Sequence, residues 1–527
     1  MTLPPPVAAL LRPEAHPDAH GRIELKQTHI SYVVLAGDDV FKIKKAVSFG
    51  FLDFSSLPLR RHFCHEEVRL NRRLAADLYR GVVGIVPRGD GFGIGPEDDP
   101  QAVEYAVHMR RLPEERTLDR LLAAGAVSPA MIERIAERVA EFHAQAASGP
   151  EITAYGDPEA VWSVLTGNYA VTSGYRNVTI TAFDDDAIQS FAANFLHRHE
   201  ALLRRRQAEG RIRDCHGDLH VQHVCFTNGL LIFDCIEFNP RLRYCDVASE
   251  VAFLAMDLDA HDAPALANHF VTHYAAIAGD PAVHDLLPLY KCHRAYIRGQ
   301  VDSMKAAQPE VSDEERATAR ASAERHFALA YQYTWTPTPC LVVVAGLSGT
   351  GKSAVGARLA ARTGWVLLNS DRVRKELAGM APTARPASTA ETERLYSPAM
   401  SARTYQALFD GAAAGLANGR GVILDATFLR RIDRDGAREL ARRQQVPVLI
   451  VECRLDDSEV RRRIAARIRA DRDASDATWA VYQNQQRHAD PFAEDERDTQ
   501  LELSTAGPVE VACLEVERTL RRVCGRG

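Results

Sequence analysis

The segment Cys340–Ser353, CLVVVAGLSGTGKS, constrains the fold of this chain more than any other. Apolar or small residues from Leu341 to Ala345 run straight into Gly346-Leu347-Ser348-Gly349-Thr350-Gly351-Lys352-Ser353. The pattern G-x-x-x-x-G-K-[ST] is that of a loop that wraps phosphates. Its glycines let backbone N–H groups point inward at an anion, where a Cβ would block the approach. Lys352 offers a point charge to the β- and γ-phosphates, and the Ser353 hydroxyl is placed for Mg²⁺. The helix expected from Ser353 onward aims its positive end at the same phosphates.

The residues after this loop read as an α/β unit. Apolar runs at Leu341–Ala345, Trp365–Asn369, Val422–Asp425 and Val446–Cys453 alternate with helical patterns, which predicts a parallel sheet. A final strand is expected at Val509–Leu514. Functional residues of such sheets gather at the carboxyl ends of strands. Asp371, just past one strand end, is a candidate base for a substrate hydroxyl, or an N-cap of the next helix. Arg374 is a candidate phosphate or acceptor clamp. Asp425 ends another strand and suits a Mg²⁺–water ligand.

Further on, Arg461–Asp473 is rich in arginine. Val460, Ile464 and Ile468 form one helical stripe, and Arg463 and Arg467 lean toward it. The expectation is a lid that delivers charge to a transferring phosphoryl group. The alternative is a surface helix with snorkelling arginines. Ala381–Met400, with Pro382, Pro386, Tyr396 and Pro398, is where an acceptor pocket would vary.

The first half follows another plan. Residues 1–20 are rich in Pro and Ala and are expected to be irregular. From Arg22 to Val47 three short strands are expected, with a turn at Gly37–Asp39. The period of two puts Lys42 and Lys44 on one strand face, either to hold phosphates or as a solvated face. A helix is predicted over Leu59–Leu78, with Glu66 and Glu67 flanking its apolar stripe. Either could turn inward to meet a strand lysine. A strand is expected at Val103–Leu112, then helices. Arg204–Arg206, Arg211 and Arg213 read as a solvated helix end.

Cys215–Asn239, CHGDLHVQHVCFTNGLLIFDCIEFN, carries most of the chemistry of this half. Asn228-Gly229 between apolar runs signals a hairpin, with strands Val221–Phe226 and Leu230–Asp234. The hairpin folds Asp218 and Asp234 toward one site, where paired acids suit one base and one metal ligand. His216, His220 and His223 add ligand candidates.

H-G-D-L-H followed by I-F-D resembles the aminoglycoside phosphotransferases, relatives of the protein kinases. The resemblance covers roughly residues 22–300. It implies a bilobal α+β kinase-like fold, with Asp218 as catalytic base and Asp234 as the main Mg²⁺ ligand. It gives Lys42 or Lys44 to the phosphates, Glu66 or Glu67 to that lysine, and Val107–Arg110 to the adenine. The family's metal-binding Asn is His223 here. The second half resembles small P-loop kinases: gluconate-kinase-like enzymes, phage-type polynucleotide kinase and zeta-type toxins. The whole resembles bacterial proteins that pair these two domains. The expected organisation is a kinase-like domain over 22–333, a Pro-rich linker at 334–339, and an α/β P-loop domain with a parallel sheet over 340–527.

The implied activity is ATP-dependent phosphoryl transfer to a hydroxyl, with ATP and Mg²⁺ as cofactors and a small-molecule acceptor. His223 opens a second possibility, a nucleotide-sensing pseudokinase that regulates the P-loop half. The lid arginines open a third, a polynucleotide 5′-kinase. A net charge of −6 argues against nucleic acid as a general partner. The N-terminus lacks a signal peptide's features and no apolar run spans a membrane, so the expected compartment is the cytoplasm. Ten cysteines without a C-x-x-C pair, four of them ten residues apart at Cys215, Cys225, Cys235 and Cys245, read as reduced, buried small hydrophobes.

Overall fold

The structure is a computed structural model. It describes residues 3–16, 22–50, 52–309, 311–336, 339–381, 384, 386–470 and 478–525, without the side chains of 467–470. The chain divides into two compact units, Met1–Ala330 and Tyr331–Gly527.

The first unit opens with a six-stranded antiparallel sheet. Its strands are β1 (Ile23–Gln27), β2 (Ser31–Ala36), β3 (Asp39–Lys44), β4 (Tyr79–Arg88), β5 (Gly91–Gly95) and β6 (Glu104–Arg110). Their spatial order is β1-β2-β3-β6-β4-β5. Alternation on β3 sends Phe41 and Ile43 to one face and Lys42 and Lys44 to the other. Phe41 and Ile43 join Val34, Ile85 and Ala106 in an apolar cluster. Each of the larger of these side chains, Val, Ile and Phe, contributes about 1.5–3 kcal/mol by leaving water. The Pro- and Ala-rich N-terminus is not irregular throughout. It forms a short helix, Pro5–Ala9, whose Val7 joins the same cluster, as does Leu10 just beyond it. Two buried apolar residues on one turn outweigh the local proline content.

The opposite sheet face is covered by the helix Leu57–Ala75. Ser56 caps it by accepting the Leu59 N–H, and Pro58 fits its first turn. Leu78, predicted inside this helix, follows it but is still buried. The rest of the unit is mainly helical. Its centre is the helix Val247–Ala260, in which every residue from Val247 to Leu258 is buried. The Asn-Gly hairpin forms as β7 (Val224–Phe226) and β8 (Leu230–Ile232), shorter than expected because Val221–His223 is a 3₁₀ turn. The expected solvated helix end holds for Arg204 and Arg205, which are exposed. Arg206 departs from it: it is buried and donates from its guanidinium to both Asp246 and Asp280.

The second unit carries a five-stranded sheet, parallel throughout. Its strands are β9 (Leu341–Ala345), β10 (Val366–Asn369), β11 (Val422–Asp425), β12 (Val448–Arg454) and β13 (Gln500–Ser504), in the order β10-β11-β9-β12-β13. All residues of β9 and β11 are buried, as central parallel strands require. The strand expected at Val509–Leu514 is instead the start of a helix, Val509–Val523. Its buried residues Ala512, Cys513, Val516, Glu517 and Leu520 recur at helical spacing, and the last strand lies earlier. Thr334 and Trp335, placed in a linker by sequence, are buried in this unit, with the Trp335 ring 5.5 Å from that of Trp365. No helix among the described residues is long and apolar enough to cross a membrane.

Candidate active sites

The first site forms where β3, the helix Leu57–Ala75 and the loops around the hairpin meet. Nζ of Lys42 lies 2.8 Å from Oε1 of Glu67 and donates to Oδ1 of Asp234 at 2.6 Å. Lys44 points the same way but is enclosed, with its ammonium on Glu67 Oε2 at 2.7 Å and on Glu237. Glu66 turns out to solvent and pairs with Arg69. The structure thus separates the two lysines: Lys42 touches the carboxylate that faces the site, while Lys44 braces the wall behind it. Burial disfavours the charge of Lys42, but Asp234 and Glu67 outweigh it and raise its pKa well above the ordinary value.

Asp234 has a positive φ of 63°, a conformation of order 1–3 kcal/mol above the relaxed backbone for a non-glycine residue. Two contacts hold it there. Its own N–H donates to the Tyr79 hydroxyl, and the next N–H, of Cys235, donates to Oδ1 of Asn71. The carboxylate keeps 41% of its side chain exposed. Asp218 keeps 32% exposed. Burial opposes its charge, yet His220 foremost, then His223 and Arg298, hold its carboxyl far below the usual range. It is an ionised acceptor at neutral pH.

His223 stands between the two acids. Its Nδ1 donates to the main-chain oxygen of Asp218 at 2.9 Å, and its Nε2 lies 3.5 Å from Oδ2 of Asp234. Burial and the neighbouring His220 push it down to about 4. The loop bearing Asp218 is fixed from below. Nε2 of His216 donates to the Phe233 carbonyl at 3.0 Å. Glu250 accepts the N–H groups of His216 and Gly217, both at 2.7 Å, and its other oxygen meets Nε2 of His143 at 2.8 Å. Gly217 needs its small size: with φ at 88°, a Cβ would lie 2.9 Å from the Leu242 carbonyl. Arg243 ties Asp214 to the Ile236 carbonyl and so braces this loop.

Glu237, Asn71, Tyr79, Glu250 and His143 escape a reading of the sequence. Glu250 carried a signal, as one of two acids, with Asp257, inside the apolar run VASEVAFLAMDL.

The second site is the loop after β9. Gly346, Gly349 and Gly351 all have positive φ, at 132°, 85° and 91°. A Cβ on Gly346 would lie 2.6 Å from the Cys453 carbonyl, so this position admits no side chain. Nζ of Lys352 donates to the Leu347 carbonyl at 2.8 Å. The Thr350 hydroxyl donates to the same carbonyl. Ser353 is exposed in the first turn of the helix Lys352–Thr363. Asp425 is buried at the end of β11, where its Oδ2 accepts from Nδ2 of Asn369 at 2.6 Å. Asn369, not Asp371, is the N-cap of the helix Ser370–Leu377: its Oδ1 accepts the N–H groups of Asp371 and Arg372. The Asp371 carboxylate therefore does not cap that helix.

The other expected residues are placed differently. Arg374 is buried, donates to the Leu395 carbonyl and the Ser401 hydroxyl, and lies 5.0 Å over the Tyr396 ring. Arg463 lies on the same helix face as Val460 and Ile464, as its spacing predicts. Its guanidinium, however, meets Glu459 and the Thr505 carbonyl, beside Gly351. The helix Asp457–Ala470 rests its apolar face on Leu347, with Val460, Ile464 and Tyr482 in one cluster, which leaves Arg463 at the rim. The side chain of Arg467, the lid residues up to Asp473 and Pro382 lie outside the described residues. One contact was not foreseen: the Ser348 N–H donates to Oε1 of Gln485 at 2.8 Å. A cavity of about 690 Å³ opens beside the loop, lined by Gly346, Leu347, Thr427, Phe428, Glu452 and Asp457 among others.

The phosphotransferase enzyme family matches residues 52–286, and an AAA domain matches residues 341–492. An uncharacterized protein of Mycobacterium tuberculosis is 30% identical over 489 residues, which is 93% of each chain. One of Mycobacterium bovis matches to the same extent. Among solved structures, a gluconokinase from Sinorhizobium meliloti aligns over 36% of this chain and 94% of its own, at 21% identity and a TM-score of 0.25. A choline/ethanolamine kinase family protein from Mesorhizobium loti aligns over 62% of this chain and 97% of its own, at 16% identity and a TM-score of 0.35.

Proposed function

The chain belongs to the family of its mycobacterial relatives. Since a phosphotransferase-family match precedes a P-loop domain match in it, we propose that it is an ATP-dependent kinase with two nucleotide sites. Each site transfers the γ-phosphoryl group of ATP to a hydroxyl of a small molecule. The observation that carries this reading is the convergence of Lys42, Glu67 and Asp234 within 2.8 Å contacts, beside the ionised Asp218. Phosphoryl transfer needs these parts: a lysine for phosphate oxygens, an acid for the metal and an acid for the proton.

In the first site, Glu67 orients Lys42 toward the phosphates. Asp218 accepts the acceptor's hydroxyl proton as the oxygen bonds to the γ-phosphorus and the bond to the β-γ bridging oxygen breaks. Asp234 and His223 are the residues that would hold a divalent ion, which when bound neutralises phosphate charge. The donors fit, because the Asp234 carboxylate faces the site and is half exposed.

In the second site, the amides of Gly346–Lys352 and the charge of Lys352 hold the phosphates. Ser353 and Asp425 supply oxygen donors suited to Mg²⁺. Asp371, close to the carboxyl end of β10, serves as base for the acceptor. Arg374 shapes the acceptor side through Tyr396 and Ser401 rather than touching phosphate directly. Arg463, beside Gly351 and Thr505, borders the nucleotide and not the transferring group.

The test is an assay of purified protein with ATP, Mg²⁺ and a panel of sugars, aminoglycosides and nucleosides. Turnover should fall with Asp218→Ala or with Lys352→Ala, according to which site the acceptor uses. Turnover unchanged in both variants would refute the reading.

A further inference from the structure

The resemblance to phosphotransferases predicts an asparagine, an oxygen ligand, where this chain has His223. Its Nδ1 lies 2.9 Å from the main-chain oxygen of Asp218. A carbonyl oxygen only accepts, so Nδ1 carries the ring proton. The lone pair of the neutral ring is then on Nε2, 3.5 Å from Oδ2 of Asp234. The other oxygen of that carboxylate is taken by Lys42 at 2.6 Å. Two electron-pair donors thus face each other with no proton between them.

Such a pair suits one cation. Two atoms bonded at about 2.1 Å to the same ion lie roughly 3.0 Å apart at an octahedral angle and 3.4 Å apart at a tetrahedral one. The observed gap is close to that span. Both ligands are also held in place. Asp234 is fixed by Tyr79 and Asn71 through the backbone, and the His223 ring packs 3.9 Å from that of His220 and 5.7 Å from that of Phe233. Supported ligands of this kind select among metals rather than adapting to them.

The identity of the second ligand decides which metal is selected. Mg²⁺ is hard, prefers oxygen throughout and gains little from imidazole. A first-row transition ion gains from it. Among these, Mn²⁺ keeps the oxygen-rich, six-coordinate surroundings that carboxylate, phosphate and water provide. We propose that His223 turns the phosphotransferase-domain site into one that prefers Mn²⁺ to Mg²⁺, with Asp234 and His223 as protein ligands. The proposal rests on the kinase reading of this site.

The experiment is electron paramagnetic resonance of Mn²⁺ bound to the untagged full chain, with a non-hydrolysable ATP analogue present. Lys352→Ala is included to remove the P-loop site from the signal. The expected result is bound Mn²⁺ coupled to an imidazole nitrogen in the pulsed spectrum, displaced by Mg²⁺ only at about tenfold excess or more. His223→Asn should abolish the nitrogen coupling and bring the two metals within about threefold of each other. Bound Mn²⁺ without nitrogen coupling, or displacement by equal Mg²⁺, overturns the proposal. The wild-type His223 spectrum carries the test even if the Asn variant does not fold. A coupled Mn²⁺ without phosphoryl transfer counts against the kinase reading alone. Absence of nucleotide-dependent Mn²⁺ binding overturns both.

Discussion

Nζ of Lys42 lies 2.6 Å from Oδ1 of Asp234, while Lys44, two residues on and on the same strand face, is bound to Glu67 and Glu237. The two lysines should therefore fail differently. Lys42→Met should cut phosphoryl transfer at this site by about 10²-fold or more while the protein still folds. Lys44→Met leaves Glu67 and Glu237 buried without their shared partner, at a cost of about 3–5 kcal/mol. Kinetics and chemical denaturation of both variants, side by side, check the division. Equal loss of stability in the two would contradict it.

Gln485 occupies a backbone donor of the P-loop, the Ser348 N–H, at 2.8 Å. P-loop amides bind phosphate, so an incoming nucleotide competes with this side chain. A hydrogen bond of this kind is worth about 0.5–1.5 kcal/mol net. Gln485→Ala should then tighten nucleotide binding at the P-loop by about two- to tenfold. Calorimetry on the Asp234→Asn background, which weakens the other site, measures it. Weaker binding would make Gln485 a phosphate ligand instead.

Glu250 holds the loop of Asp218 and is itself buried. Burial raises its carboxyl, but the hydrogen bond from His143 and the amides of the loop prevail and lower it to about 2. A carboxylate depressed in the folded state stabilises above its unfolded value of about 4.3. That contribution is lost as the pH falls from there toward 2. Glu250→Gln should be less stable than wild type by about 3 kcal/mol at pH 7. The gap should shrink when urea midpoints are compared at pH 3, and a gap that widens in acid would refute the assignment.

Gly346 is the tightest backbone position of the P-loop. Gly346→Ala meets the Cys453 carbonyl, a backbone atom that cannot rotate away, in a conformation alanine rarely adopts. Nucleotide binding at this loop should be lost. Gly167→Ala, inside the helix Pro158–Thr172 with nothing within 4 Å of a new Cβ, is the control and should be neutral or stabilising by up to about 1 kcal/mol. Filter binding of labelled ATP and a melting curve compare the pair.

What could be read without the structure was local. The P-loop is a contiguous string whose glycines answer to backbone conformation alone. The Asn-Gly hairpin and the alternation of Lys42 and Lys44 are equally short-range. Errors of element type arose where burial overruled composition. The Pro-rich N-terminus packs Val7 against the sheet, and Val509–Leu514 alternates like a strand but starts the helix Val509–Val523, whose buried residues recur at helical spacing.

The sequence by itself determined that a phosphotransferase-family unit and a P-loop unit lie on one chain, each with its own contiguous motif string. Only the tertiary structure decided which side chains of those motifs meet. Lys42 and Asp234 are 192 residues apart, Lys44 and Glu237 are 193 apart, and Ser348 and Gln485 are 137 apart. Periodicity can say that two lysines share a face, but not which will reach the open carboxylate and which will be sealed behind it. That choice is made by where the loop after the hairpin sets its acids, Asp234 on Lys42 and Glu237 on Lys44, with Glu67 of the helix Leu57–Ala75 touching both lysines. A charge is stable in the interior only where its partner already stands.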